Sequence, residues 1–136
     1  MNNFLNLQTT QLGTMAENIA GIEFIQSKGY TSYAPCISAS HPIDFIAMSG
    51  ASIFNLDVKC KSKMTYYPMT GIDKADFEKY NTYTFPTYLL FVDPSQGAIY
   101  GQWLQKLNYQ PSKEFGKVIV WPMSTMKFYR QLTNEE

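Results

Sequence analysis

The sequence predicts a mixed α/β fold in a single domain, 1–136, and three observations lead there. A helical apolar stripe opens the chain, three strand-like runs follow closely, and a second helical segment precedes a further hairpin. At 136 residues the chain can bury one core, not two. Hydrophobic residues are 45% and charged residues 16%, a composition that folds rather than staying disordered. Aromatic residues reach 15%, with 10 Tyr, which suits a half-wet sheet or a contact surface.

The elements are read in chain order. From Thr9 to Lys28, Leu12, Met15, Ala16, Ile19 and Ala20 recur at helical steps, and Gly29 after Lys28 is a stop signal. Thr31 to Ser38, Ile43 to Met48 and Ile53 to Lys61 read as strands, with Ser49-Gly50-Ala51-Ser52 as the turn between the last two. In the third run Phe54, Leu56, Val58 and Cys60 face one way, and Asp57, Lys59, Lys61 and Lys63 the other. Ser62 to Gly71 is expected as a loop. Asp73 can cap a helix from Lys74 to about Thr82, with Asp76 early and Lys79 late as the helix dipole prefers. Thr87 to Val92, a turn over Asp93 to Gly97, and Ala98 to Trp103 form a hairpin, and Leu104 to Tyr109 is ambiguous. Lys117 to Trp121 is a final strand, and Ser124 can cap a C-terminal helix to Leu132. The expected architecture is an N-terminal helix, a three-stranded meander, a helix, further strands and a C-terminal helix around one mixed sheet.

Charge and cysteine usage narrow the function. Net charge is +0, from 11 basic and 11 acidic residues, which excludes a globally basic nucleic-acid coat but leaves room for a local basic face. No apolar run approaches the roughly 20 residues that span a bilayer. The start of the chain, Met1 to Leu7, lacks a basic n-region and an unbroken apolar h-region, so a cytoplasmic protein without a membrane partner is expected. Cys36 and Cys60 belong to no metal-binding cluster and read as free thiols. His41 is the only histidine, and no nucleophile elbow accompanies it, which argues against triad chemistry. No organic cofactor is expected.

The informative constellation is Pro42-Ile43-Asp44 followed by Asp57-Val58-Lys59. A hairpin of that length brings Asp44 and Asp57 to neighbouring positions near one sheet end. Two close carboxylates repel and stay ionised with a cation between them, and oxygen ligands of this kind suit a hard ion such as Mg2+ (or Mn2+). Lys59 projects from the face of Asp57, where it can approach metal-bound water or the charge building on an attacked phosphate. Glu17, on the first helix, can complete the site from the side.

Glu17, Asp44 and Asp57-Val58-Lys59 on helix–strand–strand–strand resemble the PD-(D/E)XK nuclease superfamily, which includes archaeal Holliday-junction resolvases and small phage or intron-encoded endonucleases. Gly29-Tyr30 resembles the entry to the first strand of the resolvase-like members. Phe77-Glu78-Lys79-Tyr80 and Thr87 to Asp93 resemble the helix and strand that follow the motif. The resemblance covers roughly residues 12 to 107, with the proline two residues before Asp44 rather than adjacent to it. It implies a restriction-endonuclease-like core. It also implies Asp44, Asp57, the carbonyl of Val58 and Glu17 as metal ligands, and Lys59 as the catalytic lysine. The implied activity is Mg2+-dependent hydrolysis of DNA phosphodiesters by metal-activated water, in a homodimer.

Around that centre, Lys61, Lys63, Tyr66 and Tyr67 are expected to meet DNA, phosphates on the lysines and bases or sugars on the rings. The plainer alternative for Asp57-x-Lys59 is an exposed sheet face laced with ion pairs, each contributing ~0–1 kcal/mol. Three function classes remain: a DNA endonuclease, a nuclease-fold DNA- or protein-binding accessory protein without turnover, and an assembly protein with a Tyr-rich surface.

Overall fold

The computed structural model describes residues 21–33 and 45–133. Helix α1 (Glu23–Ser27) ends as its sequence demands. Gly29 takes φ +73°, its N–H donates to the Gln26 carbonyl, and the Tyr30 N–H donates to Ile25, the paired bonds of a Schellman cap. The chain then turns into β1 (Thr31–Tyr33), β2 (Phe45–Ser49) and β3 (Ser52–Cys60). These form the expected antiparallel meander, with Ser49 paired to Ser52 across a two-residue turn in which Gly50 takes φ +60°.

β3 is the centre of the molecule. It pairs in parallel with β5 (Thr87–Asp93), which pairs antiparallel with β6 (Ala98–Trp103). A six-stranded mixed sheet results, in the order β1-β2-β3-β5-β6-β9, the last strand being Lys127–Gln131. The parallel step between β3 and β5 requires a crossover. It runs through β4 (Met69–Asp73) and α2 (Lys74–Tyr80).

Both faces of the central strands are covered. On one face Phe54, Leu56 and Val58 of β3 join Leu90 and Val92 of β5 beneath Phe24 and Ile25 of α1. On the other, Leu89 and Phe91 pack with Tyr80 of α2, Ile72 of β4 and Trp121. All seven residues of β5 are buried, the run expected of a strand covered on both sides.

Four features depart from the sequence expectation. Residues Met69–Asp73, expected within or beside a loop, form β4, paired with β8 (Val118–Pro122). With β7 (Lys113–Phe115) these make a separate three-stranded sheet, order β4-β8-β7, so the strands do not all belong to one sheet. The expected C-terminal helix is instead a 3-10 turn, Met123–Thr125, and then β9 (Lys127–Gln131), which pairs with β6. Its aromatic pair Phe128-Tyr129 favours a strand once β6 offers an edge. The ambiguous segment is a short helix, α3 (Leu104–Leu107). Asp73 occupies the N-cap position of α2 but makes no side-chain capping bond.

The β5–β6 hairpin is anchored by Asp93, which is fully buried. One carboxylate oxygen accepts from the Ser95 N–H at 3.0 Å, the Ser95 hydroxyl at 2.6 Å and the Gln96 N–H at 3.1 Å. The other accepts from the Lys63 N–H at 2.9 Å and the Tyr100 hydroxyl at 2.6 Å. Burial, and then the Asp93 bond, push the Tyr100 phenol well above its ordinary range, so it stays a donor. Asp93→Ala strips these donors of their acceptor inside the protein, and urea unfolding is expected to show a loss of about 3 kcal/mol.

Candidate active site

Side chains alternate across a strand, so the residues of β3 that do not join the α1-side core point toward α2. Asp57 and Lys59 reach that helix, while Asn55, nearer the start of the strand, donates to the Phe85 carbonyl. Asp57 is 3% exposed, a carboxylate almost wholly withdrawn from water. Such a charge must be compensated where it lies.

The compensation comes from two elements. Lys59 Nζ stands 3.2 Å from Asp57 Oδ2, and the Tyr80 hydroxyl donates to the same oxygen at 2.8 Å. Lys59 also donates to Asp76 Oδ2 at 3.0 Å and to the Tyr80 hydroxyl at 3.2 Å, and its ammonium lies 5.6 Å from the Tyr80 ring centre. Asp76 and Tyr80 sit four residues apart on α2, one turn above the other on the face that meets β3. Burial works against the Lys59 charge, but Asp57, Tyr80 and Asp76 outweigh it and hold the ammonium well above its ordinary range. Burial and the Asp57 carboxylate likewise push the Tyr80 phenol up.

Of the residues expected at the site, Asp57, Val58 and Lys59 therefore lie on one central strand. Asp57 and Lys59 share a face, while the Val58 side chain packs into the opposite core. Asp44 and Glu17 lie outside the described residues, as do Cys36 and His41. Phe45, next in the chain to Asp44, pairs with Leu56, next in the chain to Asp57. Asp57 offers the oxygen donor that a hard divalent ion takes. Among the described residues no three acidic, His or Cys side chains gather into a metal-binding group. Of the four expected ligands the described residues contain Asp57 and Val58 alone.

The residues expected to meet DNA lie at the exit of β3. Lys61 is half-buried, and its N–H continues the sheet by donating to Val92. Burial lowers the Lys61 ammonium, with Asp73 opposing and Lys59 reinforcing that shift. Lys63 turns its Nζ onto the Met64 carbonyl at 3.1 Å. Tyr66 is 89% exposed, whereas the Tyr67 ring packs 5.8 Å from Phe115 of β7. Asp76 and Tyr80 were not among the residues singled out from sequence. The signal for them was their spacing of four on the helix after the motif strand.

No family model and no curated protein matches the chain. Among solved structures it is similar to Hjc, a Holliday junction resolvase from the archaeal hyperthermophile Archaeoglobus fulgidus. The TM-score is 0.58 at 17% identity, over 83% of this chain and 85% of that one. It is also similar to a nuclease from a fusellovirus, with a TM-score of 0.51 at 15% identity, over 90% of this chain and 89% of that one. The fold of the chain is thus like that of these two structures.

The raised Lys59 and Tyr80 groups set an alkaline limit on stability. Above about pH 10 the unfolded chain releases these two protons while the folded chain keeps them, so unfolding gains and stability falls. The urea midpoint is expected to hold from pH 7 to about 9.5 and drop beyond about pH 10. Tyr80→Phe should make that drop shallower, and measuring both midpoints across the range checks it.

Proposed function

We propose that this chain is a metal-dependent nuclease that hydrolyses DNA phosphodiester bonds, with Asp57 and Lys59 at its centre. The observation that carries the reading is a buried carboxylate and a lysine two residues on, 3.2 Å apart on one face of the central strand of a nuclease-like fold. Nothing in the packing alone calls for a charge at either position, since the flanking Leu89 and Phe91 of β5 are wholly apolar. Ionisable groups held this way are characteristic of sites rather than cores.

Mg2+ or Mn2+ is the ion this donor chemistry favours, held by Asp57 with Asp44, Glu17 and the Val58 carbonyl as further ligands. Bound there, such an ion supplies an activated water and polarises a phosphoryl oxygen. Asp57 contributes a fixed negative oxygen, oriented by the Tyr80 hydroxyl. Lys59 keeps its proton on Nζ and offers positive charge to the phosphate as negative charge builds there. Lys61, Lys63 and the exposed ring of Tyr66 meet the DNA beside the site. Likeness to a junction resolvase favours branched DNA as substrate and a homodimer as the working form.

A second reading is a DNA- or protein-binding relative of these nucleases without turnover. The observation that favours it is the closed ring of Lys59, Asp57, Asp76 and Tyr80, in which the lysine already has partners. Nicking of supercoiled plasmid with Mg2+, with and without EDTA, separates the two.

Two variant sets test the assignment. Asp57→Asn is expected to abolish both divalent binding by titration calorimetry and nicking. Lys59→Ala should keep divalent binding and lose cleavage by about 100- to 1,000-fold, the loss typical of removing one charge-stabilising donor. Lys61→Ala with Lys63→Ala should weaken duplex binding and lower its salt slope by about one to two units while divalent binding is unchanged. Isotherms at several salt concentrations measure it.

A further inference from the structure

Two adjoining depressions lie at one end of the six-stranded sheet, the first of them on the face opposite Asp57. One, of about 200 Å3, opens between the end of α1 and β9. The other, of about 410 Å3, lies beyond it toward α3. They share Tyr30, Phe54 and Trp103 as walls, so together they form one groove across the sheet end where β3 and β5 begin.

The groove has an unusual lining. Its rings form a connected network, with Tyr30 5.3 Å from Phe54, Phe54 5.0 Å from Trp103, and Trp103 5.1 Å from Tyr88, all edge to face. Phe128 on β9, a terminal strand of the sheet, stands 64% exposed at the rim. Three exposed lysines line it: Lys28 and Lys127 at one end, Lys106 at the other. Among the described residues none that lines either depression is acidic. The nearby Glu23 of α1 is neutralised by Arg130, with Nε 2.7 Å from its carboxylate.

In a chain of net charge +0, three lysines without a carboxylate are a local concentration of positive charge, and it coincides with the exposed ring of Phe128 and the half-buried rings of Tyr30 and Trp103. A small apolar ligand would not need the lysines, and a duplex would hide its bases from the rings. Unpaired bases stack on aromatic side chains while their phosphates run along cations, and a groove of this kind suits both at once. We infer that this groove is a binding surface for single-stranded nucleic acid, distinct from the Asp57 site. The inference rests on the groove's own residues and holds whether or not Asp57 and Lys59 support cleavage.

The test uses the full chain in EDTA with a fluorescein-labelled 12-nucleotide oligothymidylate, and a duplex of equal length as comparison. Trp121 is 1% exposed, so ring stacking in the groove should quench the emission of Trp103. Expected are quenching by the single strand, retained binding without that quenching in Trp103→Phe, and about tenfold weaker binding in Phe128→Ala. Lys28→Ala with Lys127→Ala should lower the single-strand salt slope by about 1.4. Asp57→Asn should bind the oligonucleotide as the parent does, so a failed nuclease assignment leaves this result intact. All three groove substitutions other than Trp103→Phe are at exposed positions, and circular dichroism verifies folding. Unchanged affinity and slope in both the phenylalanine and lysine variants would overturn the inference. So would a shift from dimer to monomer in sedimentation with no effect on the oligonucleotide, which would make the groove a self-association surface.

Discussion

A carboxylate placed in the middle of the most deeply buried strand pair governs the rest of the architecture. β3 and β5 run parallel with apolar residues on both faces, so Asp57 has no route to water along the sheet. Its charge is offset by Lys59, two residues later on the same face, and by the Tyr80 hydroxyl that α2 brings down onto it. The position of α2 is thereby tied to the position of one acidic side chain. Tyr80 is both the apolar plug of that helix, 1% exposed, and the donor the carboxylate needs. Phe77 on the same helix lies 5.8 Å from the ring of Trp121, which docks the helix against the smaller sheet as well.

The same solution appears a second time in the sheet. Asp93, at the end of β5, is buried on the face that Leu89 and Phe91 occupy, and it too accepts from a buried tyrosine, Tyr100. The two carboxylates differ in what surrounds them. Asp93 is saturated by backbone and hydroxyl donors and, among the described residues, pairs with no lysine ammonium, the environment of a group that holds a turn in place. Asp57 has a cation 3.2 Å away that is itself shared with Asp76. A shared, partly exposed ammonium can be redistributed when a phosphate or an ion arrives, whereas a closed set of backbone bonds cannot be without unfolding the hairpin. That contrast, more than burial alone, is what supports the proposal of Asp57 rather than Asp93 as the chemical centre.

How far these features were legible in the sequence follows from how local each one is. The alternation in β3, the stop at Gly29 and the turn at Gly50 depend on neighbours within a few residues, and all appear where expected. β4 depends on β8, whose Val120 pairs with Gly71 across 49 residues, and a Thr-Gly-containing run has little strand signal without that partner. β9 was misread because Ser124 is a good helix cap in isolation. Pairing with β6 decided the outcome. At the site, Asp57 and Lys59 stood out because they are polar in an apolar strand, while Asp76 and Tyr80 were masked by the ordinary helix composition around them. Asp44 and Glu17 lie beyond what the structure describes.

The α1-side part of the proposed groove and the Asp57 centre draw on the same strand from opposite sides. Phe54 lines the groove, and Asp57, three residues further on, points to α2. At ~3.3 Å per residue the two lie about 10 Å apart along β3, with the thickness of the sheet between them. No bound strand can pass directly from one to the other through the close-packed core. A nucleic acid that used both would have to wrap an end of the sheet, passing either the turn at Gly50 or the edge at β9. Duplex DNA is too stiff to make so tight a turn, whereas a single-stranded arm leaving a branch point is flexible enough. The geometry therefore couples the two surfaces only for a substrate that carries both paired and unpaired segments. If both proposed surfaces bind nucleic acid, that geometry favours branched or flapped DNA over a plain duplex.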